Sequence, residues 1–246
     1  MLVPRALAVI PHPDDESYSF GGTLALLAGA GWEVVVCCAS SGEKGKRHDD
    51  GPADPVSVGM AREAELADSC RILGADAPLF LRVPDGALAG VRAGVGLVRG
   101  IVRRLSPQLV FTLGADGAYG HPDHVSLHRW VTRAVDEDGP AILVAAFPKG
   151  LFVPQWLKCI RMMGEPPRPA QHQIGTANCD YEADIRPVRE TKLRSLACHR
   201  TQLPGGEAEA IFPPGIVAAL LDRERFEDGS GGPRPWVREV FDSLRR

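Results

Sequence analysis

"ALAVIPHPDDES", Ala6–Ser17, sets an apolar run directly against a proline-flanked histidine and three consecutive acidic residues. The run "ALAVI" (6–10) is apolar at every position, as strands covered on both faces of a parallel sheet are. Adjacent carboxylates repel one another, so a fold that keeps Asp14, Asp15 and Glu16 together needs a counter-charge close by. Open α/β sheets bind ligands beyond the carboxyl ends of their strands, and "HPDDE" would occupy that place.

Further runs of the same kind follow: "EVVVCCAS" (33–40), "PLFLRV" (78–83), "QLVFTL" (108–113) and "AILVAAF" (141–147). Between them lie segments with helical spacing. Gly22–Ala30 is short and rich in small residues. Ser57–Leu73 ends at Gly74, a C-cap signal. Val95–Leu105 stops before a Ser-Pro, and His121–Val135 carries Pro122 in its first turn, where a missing N–H costs nothing. Strand alternating with helix predicts an α/β fold, Rossmann-like, with a mostly parallel sheet and helices on both faces. One domain over 1–246 is expected. Residues 148–181 and 203–246 form its periphery, with helices near Val188–His199, Pro214–Leu221 and Pro235–Leu244 around a loose "EDGSGGPRP" linker.

The chain has 246 residues, 44% hydrophobic and 24% charged, with a net charge of −3. No basic block stands out, so nucleic acid is not an expected partner. The apolar runs are strand-length, too short for a membrane span. The N-terminus reads as a first strand and not as a signal peptide. Six cysteines without a C-x-x-C pair read as free thiols, and Cys37 and Cys38 point to opposite faces of one strand; a reducing cytoplasm is the expected setting.

A second motif, "GADGAYGHPDH" (Gly114–His124), follows the run 108–113. If that strand neighbours the first, His12, Asp14, Asp15, Glu16, His121, Asp123 and His124 converge on one crevice. Turns use Pro and Asp freely but have no need of histidine. A divalent cation is the expected counter-charge. A mixed imidazole and carboxylate set suits Zn²⁺, or another first-row ion such as Fe²⁺, better than Mg²⁺ or Ca²⁺. Catalytic zinc takes three protein ligands and one open position, and spacing alone does not say which candidates serve.

"HPDDE" after a first strand with a later "GHPDH" resembles the PIG-L/LmbE-like family of zinc-dependent N-deacetylases. "SSGEKG", "AREAEL", "PDG" at 84–86 and "LACHRTQ" near 196–202 strengthen the likeness, which covers most of 5–135 and returns at about 186–202. The resemblance implies a hydrolase that removes an N-acyl group, most often acetyl, from an amino-sugar-containing small molecule or glycosylated metabolite. It implies His12, Asp15 and His124 as metal ligands and Asp14 as the general base. His121 would stabilise the charged intermediate or protonate the departing amine, with Asp123 orienting that imidazole. Tyr119 would reach the substrate carbonyl oxygen. Arg62, Asp85 and, with a less certain duty, Glu43 would lie against the sugar.

Plainer readings stand beside these. Arg62 and Glu63 could decorate a helix surface, Asp85 could only form a turn, and His128 could be a surface residue. The stretch 150–164 could line an acceptor pocket, make a subunit contact or pack as a peripheral helix. An amidase acting on another amide, such as a thiol conjugate, is the enzymatic alternative. A non-catalytic Rossmann-like binding module is the remote one, and the Gly-rich phosphate turn it needs after the first strand is missing. Self-association into a homo-oligomer is open.

Overall fold

The computed structural model describes residues 3–136, 138–163 and 170–245. Seven strands form one sheet: β1 (Arg5–Ile10), β2 (Glu33–Cys38), β3 (Leu79–Phe80), β4 (Leu109–Thr112), β5 (Ala141–Ala145), β6 (Tyr181–Asp184) and β7 (Arg223–Asp228). Their spatial order is β3-β2-β1-β4-β5-β7-β6. The first five run parallel, with Val9 opposite Cys37 and Ala8 opposite Phe111, whereas β7 pairs antiparallel with both β5 and β6. The chain moves outward from β1 to β2 and β3, then returns to place β4 on the other side of β1. That reversal opens a crevice at the carboxyl ends of β1 and β4, where both histidine motifs begin.

The helices are α1 (Asp15–Gly29), α2 (Pro55–Leu73), α3 (Gly94–Leu105), α4 (Gly117–Gly120), α5 (Pro122–Ala134), α6 (Val153–Met163), α7 (Arg189–Ala197), α8 (Ile216–Ala219) and α9 (Pro235–Ser243). Side chains alternate along the strands and so feed two cores. Ala6, Ala8 and Ile10 face the layer containing α1, α2, α7 and α9, while Leu7 and Val9 face α3 and α5. Cys37 and Cys38 divide between the two cores as expected, and all six cysteines are free. Phe20, Phe111 and Phe226 meet in the first core with ring centroids 5.3–6.4 Å apart. Burying one such ring contributes about 1.5–3 kcal/mol.

Local chemistry sets the helix ends. Asp54 accepts the Ser57 N–H at 3.0 Å, Pro55 opens α2, and Gly74 closes it at φ 75° in the left-handed region. Gly22 lets α1 approach its neighbour, because a Cβ there would lie 2.5 Å from Ile185 Cγ2. Beside it, Lys192 and Glu224 form a fully buried ion pair at 2.6 Å. Lys192 Nζ donates to the Tyr18 carbonyl, and Glu224 accepts the N–H groups of Gly22 and Thr23. The pair thus fastens α7 and β7 to the middle of α1.

Four elements differ from expectation. Helix α1 begins seven residues before Gly22, at Asp15, because Asp15 and Glu16 suit the positive end of a helix. The expected helix at 214–221 is only the short α8. The segment 203–246, expected at the periphery, contributes β7 to the sheet, and the segment 148–181 ends in the first residue of β6; the linker begins inside β7. "RERFED" conceals its strand because the inward-facing Glu224 is charged and neutralised only by distant Lys192. In the stretch 150–164, Phe152 and Trp156 bury in the first core, and residue 164 lies outside the described residues.

Candidate active site

The three acidic residues after β1 each meet a separate basic partner. Asp14 Oδ2 accepts from Arg62 Nη2 at 3.0 Å, and Glu16 Oε1 lies 2.7 Å from His199 Nε2. Asp15 Oδ2 lies 3.3 Å from His12 Nδ1, and its Oδ1 lies 3.4 Å from His124 Nε2. Crowding of like charges is therefore relieved within the protein. Burial raises the Asp15 carboxyl, but the nearby His124 and His12 outweigh it and hold Asp15 well below the usual carboxylate range. Tyr18, one turn along α1, donates its O–H to Asp15 Oδ1 at 2.6 Å.

His12 projects from the end of β1 and meets the second motif across the crevice. Its ring centroid lies 4.8 Å from that of His121 and 5.4 Å from that of His124, which stack 4.6 Å apart. His12, His121 and His124 each offer a nitrogen, all within 4.8 Å of one another. His12, Asp85 and Asp123 form a second such group. His124 is fully buried, and its Nε2 has no hydrogen-bond partner. A buried, unsatisfied imidazole nitrogen facing a carboxylate is costly unless something occupies it. Together with this nitrogen, oxygen and imidazole donor set, it fits a divalent first-row ion. Burial pushes His124 down to about 4, against the pull of Asp15, so it is a neutral base near pH 7.

His12 behaves differently. Burial lowers its pKa, but contacts with Asp123, Asp15 and Asp85 more than compensate and raise it well above the ordinary value. Nε2 sits 3.1 Å from Asp85 Oδ1 and 3.4 Å from Asp123 Oδ2. In the neutral form that a ligating imidazole must adopt, the proton kept on Nε2 is shared with those carboxylates and Nδ1 faces Asp15 with its lone pair. That is the arrangement in which a carboxylate orients a ligating imidazole.

Asp123, expected to orient His121, turns its carboxylate toward His12, where it also accepts from the backbone of Gly86 and Leu88, at 2.7 and 3.2 Å. Only the Asp123 N–H meets His121, donating to Nδ1 at 3.2 Å as His121 caps α5. That bond puts the proton of a neutral His121 on Nε2. Burial, with His124 and His12 nearby, holds His121 well below the ordinary histidine value.

Asp14 has φ 125° and ψ −27°, a conformation rarely adopted by a residue with a side chain. Such strain costs about 1–3 kcal/mol and persists only where the surroundings over-determine it. Burial raises the Asp14 carboxyl to about 7, with Arg62 opposing. Tyr119 lies on α4, where Ala118 is held at φ 63° and Asp116 Oδ1 accepts the Ala118 N–H. Its ring approaches His124 at 5.2 Å and packs on Phe152 at 5.9 Å and Phe212 at 6.2 Å. Burial and the charges of Asp15 and Asp14 push the phenol well above 10, so it keeps its proton and can donate.

Arg62 is buried, not on a helix surface. Besides Asp14, its guanidinium donates to the carbonyls of Pro13 at 2.5 Å and Gly42 at 2.8 Å. Asp85 faces His12, receives the Lys44 N–H on Oδ2, and donates its own N–H to Glu43 Oε1 at 2.7 Å. Glu63 pairs with exposed Arg82, and His128 bonds the Leu113 carbonyl. Sequence reasoning missed Tyr18, which lies three residues after Asp15 on α1. It gave no mechanism to His199, whose contact with Glu16 spans 183 positions.

An open α/β sheet carries this imidazole and carboxylate cluster at its switch point, a donor set able to hold a metal ion. The family model described as PIG-L, GlcNAc-PI de-N-acetylase, matches residues 7–135, and the chain belongs to that family. A 1D-myo-inositol 2-acetamido-2-deoxy-alpha-D-glucopyranoside deacetylase of Mycobacterium sp. (strain JLS) is 37% identical over 95% of this chain and 86% of its own. Among solved structures, N,N'-diacetylchitobiose deacetylase from Pyrococcus horikoshii aligns with TM-score 0.64 at 22% identity, covering 95% of this chain and 88% of its own. GalB, the 4-carboxy-2-hydroxymuconate hydratase of Pseudomonas putida KT2440, aligns with TM-score 0.66 at 22% identity, covering 94% and 98%. At those identities the two structures speak for the fold. Among the described residues no helix is long and apolar enough to cross a membrane.

Proposed function

We propose that this protein is a zinc-dependent N-deacetylase that hydrolyses the acetamide of an amino-sugar glycoside. The observation that carries the reading is the meeting of His12, Asp15, His121 and His124 at the β1/β4 crevice, beside a carboxyl poised near neutrality. Relatives named as deacetylases of a 2-acetamido-2-deoxyglucopyranoside of myo-inositol make that glycoside the first substrate to test. Six free cysteines favour a reducing, cytoplasmic setting.

His12, Asp15 and His124 would hold the ion, and Fe²⁺ could replace Zn²⁺ on the same donors. When bound, the cation polarises the amide carbonyl and makes water a competent nucleophile near neutral pH. Asp14 takes a proton from the attacking water as its oxygen bonds to the carbonyl carbon. Tyr119 donates its O–H to the carbonyl oxygen, and the Nε2 proton of neutral His121 offers a second donor as negative charge develops there. The C–N bond then breaks. Asp14, now a carboxylic acid, returns its proton to the departing amine, leaving acetate and the free amino sugar. Arg62 holds the Asp14 carboxylate from behind, and Glu43 braces Asp85 against His12.

The test is release of free amine from a panel of N-acetylglucosamine glycosides and other acylated amines, before chelation, after it, and after zinc add-back. Loss and recovery on the glycosides supports the reading. Undiminished turnover in metal-free protein, or turnover confined to amides without a sugar, overturns it.

A further inference from the structure

We infer that Glu16 and His199 are positioning residues: their buried pair holds the Asp14 backbone in its left-handed conformation and thereby aims the Asp14 carboxylate into the crevice. The inference rests on the reading of Asp14 as the base. Glu16 Oε2 accepts the Asp14 N–H at 3.0 Å, directly at the strained residue. Oε1 of the same carboxylate is fixed by Ser17 and Ser69 hydroxyls, each at 2.6 Å, and by His199 Nε2 at 2.7 Å. Ser195 Oγ reaches both serines and closes the cluster from α7. Both Glu16 and His199 are 0% exposed, so neither can touch substrate.

His199 is itself anchored. Its N–H donates to the Leu196 carbonyl at 3.1 Å, and its own carbonyl receives Gln202 N–H at 2.8 Å. Two residues on, Thr201 donates its N–H and hydroxyl to the two oxygens of Glu65 on α2, at 2.8 and 2.7 Å. The segment after α7 is therefore fastened to α2 and presses one imidazole onto Glu16. Arg62, also on α2, grips the Pro13 carbonyl and Asp14 Oδ2 from the other side. Asp14 is clamped between Glu16, which Ser69 of α2 and His199 hold, and Arg62 of α2 itself, which is how a non-glycine residue stays at φ 125°.

A buried carboxylate is held by the sum of its donors. Removal of the His199 donor leaves Glu16 under-solvated and free to turn, and the Asp14 N–H loses its acceptor. Asp14 then relaxes toward ordinary φ, and its carboxylate leaves the crevice. The flanking donors keep their own anchors, Asp15 through the Tyr18 hydroxyl and His12 through Asp85.

The experiment compares His199→Phe with His199→Gln, whose amide can still donate to Glu16. Bound zinc per chain, kcat and KM on the glycoside, and the crystal structure around Asp14 are measured for each. The expected result in His199→Phe is undiminished zinc, little change in KM, a kcat lower by on the order of 10²-fold, and an Asp14 φ out of the positive region. His199→Gln should restore most of the rate and the positive φ. An Asp14 φ that stays positive in His199→Phe overturns the inference whatever the rate, as does a full kcat with φ displaced. If the unaltered protein deacetylates nothing, the functional reading fails separately, and the Asp14 backbone in the variant crystal still decides the positioning. Should His199→Phe not fold, His199→Asn, too short to reach Glu16, is judged by the same two criteria.

Discussion

Nε2 of His12 lies 3.1 Å from Oδ1 of Asp85, a contact that joins the loop after β3 to the end of β1. Together with Asp123 it presents His12 Nδ1 toward Asp15 and the crevice. Asp85→Asn should weaken zinc binding by about 10–100-fold, read by competition with a coloured chelator. An unaltered affinity would mean that this carboxylate does not orient His12.

Asp14→Asn should keep zinc but lose about 10²–10⁴ in kcat, the usual contribution of general acid–base catalysis. Equal zinc stoichiometry with full activity would remove Asp14 from its proposed role.

The pH dependence follows from the same carboxyl. Asp14 must be ionised to accept a proton, and burial lifts it to about 7. In kcat/KM the rate should therefore fall as pH drops through this region and level off above it. A nearby cation favours the ionised form, which moves the falling limb of loaded enzyme toward lower pH. A profile whose acid limb lies above pH 8 would contradict the assignment.

Tyr119→Phe removes only the phenolic donor and preserves the ring packed on Phe152 and Phe212. The thermal midpoint should stay near that of the unaltered protein while kcat falls about 10²–10³-fold. An unchanged kcat would show that the phenol donates to nothing in the transition state.

Lys192→Met tests the fold and not the chemistry. It strands Glu224, which is buried and tied to α1 through Gly22 and Thr23. Breaking a buried pair from one side costs about 3–5 kcal/mol, measurable by urea unfolding. A change below 1 kcal/mol would mean that Glu224 finds another partner or solvent.

Local patterns made the first five strands and both histidine motifs legible. A buried parallel strand is uniformly apolar, and Pro122 and Gly74 mark helix ends through their own backbone chemistry. The adjacency of β1 and β4 could be posed only as a condition, because strand order is a tertiary property. β7 escaped notice because its inward-facing Glu224 is paired with a lysine 32 positions away, and β6 because it is only four residues, two of them acidic. The partners of carboxylates were the least legible feature. Asp123 sits beside His121 in the chain, yet its carboxylate chooses His12, 111 positions earlier. Spacing along a chain says little about contacts made across a crevice.

The proposed cation sits among His12, Asp15 and His124. Crystals of the zinc-loaded protein, measured on both sides of the zinc absorption edge, test it most directly. The prediction is a single strong anomalous peak within bonding distance of all three side chains. A peak elsewhere, or none in protein that carries one zinc per chain, would contradict it.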